Sequence, residues 1–290
     1  MGGLANPRGP GRIEGWSRAP LAARLPAIVL VALVGVAALI RPTAPIVFLG
    51  LLFAYLVARR FGTRSTSLAA VLPVAAILVW RSIPQAAADP TGLDCGNLLA
   101  PPALWRFLEA GVGLLMLAYL LWDRKASLGE LGFRRGSGQV RAMAIVGLLV
   151  IGPVAVYGAT LVGSSQLGSM LFGAYSLDLS QPAALLPALV FAGSNALAEE
   201  LAYRGALRVW LRPALGIVGA NAAQAILFGL AHTGEDFVGL EGAIPVMIGM
   251  IVVGFVAGVI ARRTGSLTIP LAIHAAADIP IFLYWACRVG

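Results

Sequence analysis

The chain alternates apolar runs with short polar loops. The runs predict nine helices, at residues 25–40, 44–58, 67–80, 103–122, 142–161, 183–211, 214–232, 243–261 and 267–286. At about 1.5 Å per residue, about 20 apolar residues cross the ~30 Å hydrocarbon core of a bilayer. The first three runs are shorter than this length. The pattern predicts an all-α, polytopic transmembrane bundle of about eight to nine spans.

The composition narrows the class of protein further. Apolar residues make up 59% of the 290 residues and charged residues only 12%, which excludes an ordinary soluble domain. The net charge of +8 does not indicate nucleic-acid binding, because the Lys and Arg residues form short clusters between apolar runs. We therefore expect membrane lipids, and no nucleic acid, as partners.

The charged loops predict an orientation in the membrane. Basic clusters at 59–64, 124–135, 208–212 and 262–263 alternate with acidic loops at 89–94, 178 and 235–241. Basic loops face the cytoplasm in most membrane proteins, so we expect a cytoplasmic N-terminus and an external C-terminus. A cleaved signal peptide is the alternative for the first run, but further apolar runs follow at once without a small-residue cleavage pattern.

This organisation predicts four regions: a basic cytoplasmic tail at 1–24, N-terminal spans at 25–122, a cytoplasmic loop at 123–140 and a C-terminal transmembrane core at 141–290. The loop carries Leu128, Leu131 and Phe133 among charges, which is typical of an amphipathic stretch on a membrane surface. Cys95 and Cys287 are too few for a disulfide framework. We expect free thiols, although their predicted external position also permits a disulfide.

Ionisable residues inside the apolar runs indicate a functional site. Of thirteen acidic residues only four lie within the runs, together with both histidines: Glu109, Glu199, Glu200, Asp278, His232 and His274. Each such group costs about 3 kcal/mol or more in hydrocarbon, so it needs a partner or a role. Glu109 is treated as an exception, because Arg106 three residues earlier can form a local ion pair with it.

The segment that contains Glu199 and Glu200 suggests a general base. Glu200 and Arg204 are four residues apart on one helical face, where they can pair. Glu199 points about 100 degrees away and is left without that cation. A carboxylate without a cation in apolar surroundings suits a general base, with Glu200 as its anchored neighbour. The alternative is that both glutamates only tie helices together.

Helix geometry allows these groups to meet. From a turn near Pro213, Glu199 lies roughly 21 Å along one helix and His232 roughly 28 Å along the next. From the later turn near 265, His274 lies roughly 14 Å and Asp278 roughly 20 Å along the last helix. The last two share a face, so the aspartate can accept a hydrogen bond from the ring and fix its tautomer. Purely structural histidines remain the alternative.

Three motifs on separate runs, in this order and spacing, resemble those of the CPBP family, which contains the CAAX prenyl endopeptidases and the bacterial Abi proteins. They are Glu199-Glu200 with Arg204, Phe228 followed by His232, and His274 followed by Asp278. The resemblance covers roughly residues 183–285, with a weaker match at 128–133. It implies an intramembrane endopeptidase, in a bacterial inner membrane, that cleaves a membrane-anchored or lipid-modified protein.

The resemblance also implies residue roles. Glu199, beside Glu200, activates a water molecule, and His232 helps to position that water. Arg204 and Phe228 are supporting residues, and packing alone is the alternative for the phenylalanine.

His274 and Asp278 are the implied group for stabilising the oxyanion. Many prenyl endopeptidases have asparagine where this chain has Asp278. An ionised carboxylate cannot donate a hydrogen bond, so Asp278 must be protonated or act only by orienting His274.

A metal is the remaining question about the chemistry. Glu199, His232 and His274 have the donor types to bind zinc with a position left open for water. The chain lacks an HExxH helix, and metal-free catalysis leaves Glu199 free to act as the base. We therefore expect no metal and keep zinc as the alternative.

Two functions other than proteolysis are also consistent with buried acidic residues. A proton-coupled transporter can use the Glu and His residues as a relay, and a membrane scaffold needs no catalytic residue. Inverted repeats and paired broken helices would favour the transporter, and the sequence shows neither.

Overall fold

The computed structural model describes residues 20–63, 65–83, 95–98, 103–134, 136–163, 176–177, 182–233, 239–286 and 288–289. The helices are α1 Leu21–Leu39, α2 Ala44–Arg60, α3 Thr66–Arg81, α4 Ala103–Arg124, α5 Gly138–Gly163, α6 Leu185–Glu199, α7 Arg208–Ala231, α8 Gly239–Thr264 and α9 Thr268–Ala286. Short 3-10 turns precede α2 and α6. The all-helical prediction is confirmed, and residues 1–19 of the predicted tail lie outside the described residues.

The described residues contain one strand pair in addition to the helices. β1, Ser176–Leu177, pairs antiparallel with β2, Arg288–Val289. With two residues in each strand, this pair adds little to a helical architecture.

Each predicted apolar run coincides with a helix or part of one. By length and composition, the described residues include five stretches that can cross a membrane: Leu21–Leu39, Arg41–Arg60, Ala103–Arg124, Pro182–Ala231 and Ala243–Thr264. Three shorter apolar helices accompany them, at Thr66–Arg81, Gly138–Val154 and Thr268–Leu283. The chain is an integral membrane protein, whereas the number of spans remains a prediction.

The longest helical stretch carries two irregularities. A π-helical segment, Glu200–Leu207, directly joins α6 to α7. Within α7 the backbone leaves the helix at Gly216, which has φ 74° and ψ 178°. A positive φ favours glycine, so the turn expected near Pro213 falls at Gly216 instead.

Close contacts between helices hold the bundle together. α9 packs against α5 and α6, α4 packs against α3 and α6, and α7 packs against α8. At the last contact the Asn221 Nδ2 donates to the Phe255 carbonyl at 3.0 Å, and the Gln224 Nε2 donates to the Gly254 carbonyl at 2.8 Å. Small residues and side-chain amides of this kind join helices in lipid.

The loop between α4 and α5 covers the bundle near the π-helical segment. Leu131 is fully buried and lies against Gly205, while Leu128 and Phe133 are each 41% exposed. The loop is fastened to the start of α9, where the Leu267 N–H donates to the Gly132 carbonyl at 2.9 Å. The apolar and polar sides of the loop agree with an amphipathic stretch, and its place on a membrane surface remains a prediction.

Cys95 is disulfide-bonded. The expectation of free thiols is therefore wrong for Cys95. The chain's other cysteine, Cys287, lies outside the described residues.

Candidate active site

The structure brings all the predicted site residues into one largely buried cluster. They come from α6, the π-helical segment, the end of α7 and the middle of α9, and they are Glu199, Glu200, Arg204, Phe228, His232, His274 and Asp278. The two glutamates and Arg204 are each 1% exposed, and Asp278 is 4% exposed. Polar groups at this depth need partners within the protein or bound water.

His274 links the three acidic groups of the cluster. Its Nδ1 lies 2.9 Å from the Glu200 Oε1. Its Nε2 lies 3.5 Å from the Glu199 Oε2 and 3.6 Å from the Asp278 Oδ2. A neutral imidazole donates from one nitrogen only, whereas an imidazolium donates from both. The ring therefore has an acidic neighbour at each nitrogen.

The hydrogen bond predicted between Asp278 and His274 is wrong. At 3.6 Å their separation exceeds hydrogen-bonding distance, and Glu200 orients the ring instead. The Asp278 Oδ2 accepts a hydrogen bond from the Asn195 Nδ2 at 2.9 Å, which draws the carboxylate towards α6. Sequence reasoning missed Asn195, although its position four residues before Glu199 puts it on the same face of that helix.

The prediction that Glu199 lacks a cation is also wrong. The Arg81 Nη2 contacts the Glu199 Oε1, and both side chains are buried. Arg81 is the last residue of α3, and its long side chain reaches from the helix end into the cluster. The sequence did hold a signal, because Arg81 is one of the few basic residues beside the predicted acidic loops.

Glu109 belongs to the same network. Its predicted ion pair with Arg106 is confirmed, with 2.6 Å between the Arg106 Nη1 and the Glu109 Oε2. Its other oxygen, Oε1, accepts from the Arg81 Nε at 2.8 Å and the Arg81 Nη2 at 2.6 Å. A continuous series of ion pairs therefore leads from α4 to the candidate base, in the order Arg106, Glu109, Arg81 and Glu199.

The predicted pair between Glu200 and Arg204 is confirmed, with 3.2 Å between the Arg204 Nη1 and the Glu200 Oε1. Both residues lie in the π-helical segment, a kind of insertion that is frequent at functional sites. The Arg204 Cζ lies 3.8 Å from the centroid of the Phe228 ring, a cation–π contact. The Phe228 ring also lies close to both histidine rings, with centroid distances of 4.4 Å to His232 and 5.9 Å to His274.

His232 follows the last residue of α7 and is half-buried. Its Nδ1 lies 2.7 Å from the Phe228 carbonyl oxygen. A carbonyl only accepts, so Nδ1 carries the proton and the Nε2 of a neutral ring is left as an acceptor. His232 interacts electrostatically with the Glu199 carboxylate.

One oxygen of each glutamate lacks a hydrogen-bond partner among the described residues. The Glu199 Oε2 and the Glu200 Oε2 are buried and accept no hydrogen bond within the described part of the chain. Buried polar atoms are nearly always hydrogen-bonded to protein or water. These oxygens are therefore the atoms at which a water molecule or a substrate group fits.

Glu199, His232 and His274, the alternative zinc ligands, all lie in this cluster. Among the described residues, no three His, Cys, Asp or Glu side chains converge as a metal ligand set. Arg81 and Arg204 already pair with the two glutamates, and their positive charge opposes a divalent cation at the same oxygens.

Comparison with known proteins identifies part of the chain. Residues 181–280 match the family model described as "Type II CAAX prenyl endopeptidase Rce1-like". Neither the curated proteins nor the solved structures give a match. The matched segment contains every predicted catalytic residue but none of Arg81, Arg106 and Glu109. The match supports the resemblance of residues 181–280 to the CPBP family and indicates a membrane protease.

Proposed function

We propose that this protein is an intramembrane endopeptidase that uses Glu199 to activate a water molecule. Its substrate is a membrane-anchored or lipid-modified protein. The observation that carries the proposal is the buried, unpartnered Glu199 Oε2, which lies 3.5 Å from the His274 Nε2 in a site built from the three motifs.

The chemistry follows from the two oxygens of Glu199. Arg81 occupies Oε1, so a water molecule hydrogen-bonds to Oε2, with the His232 Nε2 as a second acceptor. Glu199 takes a proton as the water oxygen attacks the carbonyl carbon of the scissile bond. The carboxyl group then gives that proton to the departing amine, so one water is consumed and Glu199 is regenerated.

His274 supplies the donor for the developing oxyanion. Its Nδ1 donates to Glu200, so in this mechanism the ring is an imidazolium whose Nε2 donates on the side where Glu199 carries its free oxygen. A preorganised donor at such a position strengthens as negative charge develops. Asp278, held by Asn195, keeps negative charge near the ring and, when ionised, does not itself donate.

The proposal includes no metal. The contacts of Arg81 and Arg204 with the two glutamates support this choice, because they provide the positive charge that zinc would otherwise supply. No step of the reaction therefore depends on a metal ion.

The substrate class rests on the family description and on the surroundings of the site. The matched family is that of a CAAX prenyl endopeptidase, which supports a lipid-modified or membrane-anchored substrate. We also propose a bacterial inner membrane and a cytoplasmic N-terminus, supported by the alternating charges of the loops. The family match favours a protease over a proton-coupled transporter.

The test compares membrane proteins of cells that carry the wild-type protein, Glu199→Gln or Glu130→Gln. Glu130 is an exposed glutamate of the α4–α5 loop and serves as the matched control. We expect one or more membrane proteins to be cleaved in the wild-type and control cells and to remain intact with Glu199→Gln. Identical fragments in all three strains would contradict the proposal.

A further inference from the structure

Arg81 contacts two candidate catalytic elements with one side chain. Its Nη2 contacts the Glu199 Oε1, and its Nη1 lies 3.4 Å from the Ala231 carbonyl oxygen, directly before His232 in the chain. The remaining nitrogen, Nε, donates to Glu109. The guanidinium is planar and rigid, so these three contacts fix the relative positions of the groups that they join.

The helix that carries Arg81 is itself held firmly. Trp80, the preceding residue, packs against Trp105 of α4 with ring centroids 4.7 Å apart. Further along the same contact, a Cβ at Gly113 would lie 2.8 Å from the Ile77 side chain, so α3 and α4 approach closely. Glu109, on α4, also accepts two hydrogen bonds from the guanidinium. Arg81 therefore contacts Glu199 from the end of a helix that is packed closely against α4.

We propose that Arg81 is a positioning residue that holds the Glu199 carboxylate and the turn that contains His232 in the relative positions needed for catalysis. The inference rests on the proposed function and extends it to α3, which lies outside the family-matched residues 181–280. Arg81 contacts Oε1, and Oε2 is the oxygen of Glu199 that is left open to the water. By holding the Ala231 carbonyl, it fixes the start of the turn that carries His232.

Charge balance alone is the competing explanation, and the network allows a direct test. Arg81 and Arg106 balance Glu109 and Glu199, so Arg81→Gln leaves one unbalanced buried negative charge. The double variant Arg81→Gln/Glu109→Gln removes one charge of each sign and keeps the network neutral. The net buried charge is then unchanged, which limits the loss of stability that an uncompensated buried charge would cause.

The experiment measures kcat and KM for a fluorescent peptide spanning the bond cut by the wild-type enzyme in the cellular comparison. We expect the double variant to remain folded, with kcat lowered about 100-fold and KM changed less than about threefold, because small misplacements of reacting groups cost about this much. Glu109→Gln alone should lose less than about tenfold. A folded double variant with kcat within about threefold of wild type overturns the proposal in favour of charge balance.

Two further variants separate position from charge. Arg81→Lys keeps the positive charge but offers one nitrogen, so we expect at least about tenfold more activity than Arg81→Gln and still less than wild type. Arg106→Gln changes an arginine that binds Glu109 but does not contact Glu199, and it should lose less than about tenfold. Equal losses for Arg106→Gln and Arg81→Gln would contradict a positioning role.

Failure of this inference is distinct from failure of the proposed function. If Glu199→Gln retains cleavage, the proposed base is wrong whatever Arg81 does. If Glu199→Gln is inactive and the folded double variant is fully active, the base stands and only the role of Arg81 is rejected.

Discussion

The family-matched helices α6, α7 and α9 and the N-terminal pair α3 and α4 contribute different things to one site. The matched helices supply two glutamates, two histidines and an aspartate, an arrangement rich in negative charge. The N-terminal pair supplies Arg81 and Arg106, together with the bracing Glu109. The comparison shows that the motifs contain the proposed reacting groups, while the cation that contacts Glu199 comes from a part of the chain that carries no motif.

The largest effect expected on the matched side, apart from loss of the base, is that of His274→Ala. This change removes the proposed oxyanion donor, so we expect kcat to fall about 10²–10³-fold. His274→Gln retains an N–H donor and should recover part of the rate. Steady-state cleavage of the fluorescent peptide provides the measurement, and an unchanged kcat for His274→Ala would remove His274 from the mechanism.

Arg204→Met tests the internal charge balance of the matched helices. It leaves the buried Glu200 without its paired cation, and breaking a buried ion pair costs about 3–5 kcal/mol. We expect a large decrease in the free energy of unfolding, measured by denaturant titration in detergent. Arg60→Met changes an exposed arginine at the end of α2 and should have little effect, so equal losses would contradict the pairing.

Gly258→Ala tests a contact between helices that lies away from the site. A Cβ at this position would lie 1.8 Å from the Asn221 Oδ1, so the amide would have to move and lose its hydrogen bond to α8. We expect a loss of about 1–3 kcal/mol in stability. Gly249→Ala, on the same helix, meets no atom within 4 Å and is the control. Similar melting temperatures for both variants would contradict this packing.

Removal of metal ions should have the smallest effect. If the arginines supply the positive charge of the site, prolonged dialysis against EDTA leaves kcat within about twofold of its starting value. A zinc-dependent enzyme would lose activity under this treatment and regain it on addition of zinc. Such recovery would contradict metal-free catalysis.

The helices were predictable because lipid requires long apolar runs, and these runs stand out in the sequence. The Glu200–Arg204 and Arg106–Glu109 pairs were predictable because helix spacing is fixed over a few residues. The contact between Arg81 and Glu199 was not, because it joins residues 118 positions apart through a long side chain. Its only sign was an arginine at the end of an apolar run beside an acidic loop.

The bond between Asn195 and Asp278 escaped prediction for a related reason. It depends on how α6 and α9 are rotated about their axes, and periodicity alone does not fix the rotation of two separate helices. The same rotation places Glu200, instead of Asp278, at the His274 Nδ1.

The central claim is that Glu199 activates water for peptide hydrolysis. The most direct measurement is the rate at which purified protein in lipid vesicles cleaves the peptide, for wild type, Glu199→Gln and the surface control Glu130→Gln. Loss of a general base predicts a decrease of about 10²–10⁴-fold for Glu199→Gln in a folded protein, with Glu130→Gln unchanged. A Glu199→Gln enzyme that cleaves within tenfold (~1.4 kcal/mol) of the wild-type rate would contradict the account.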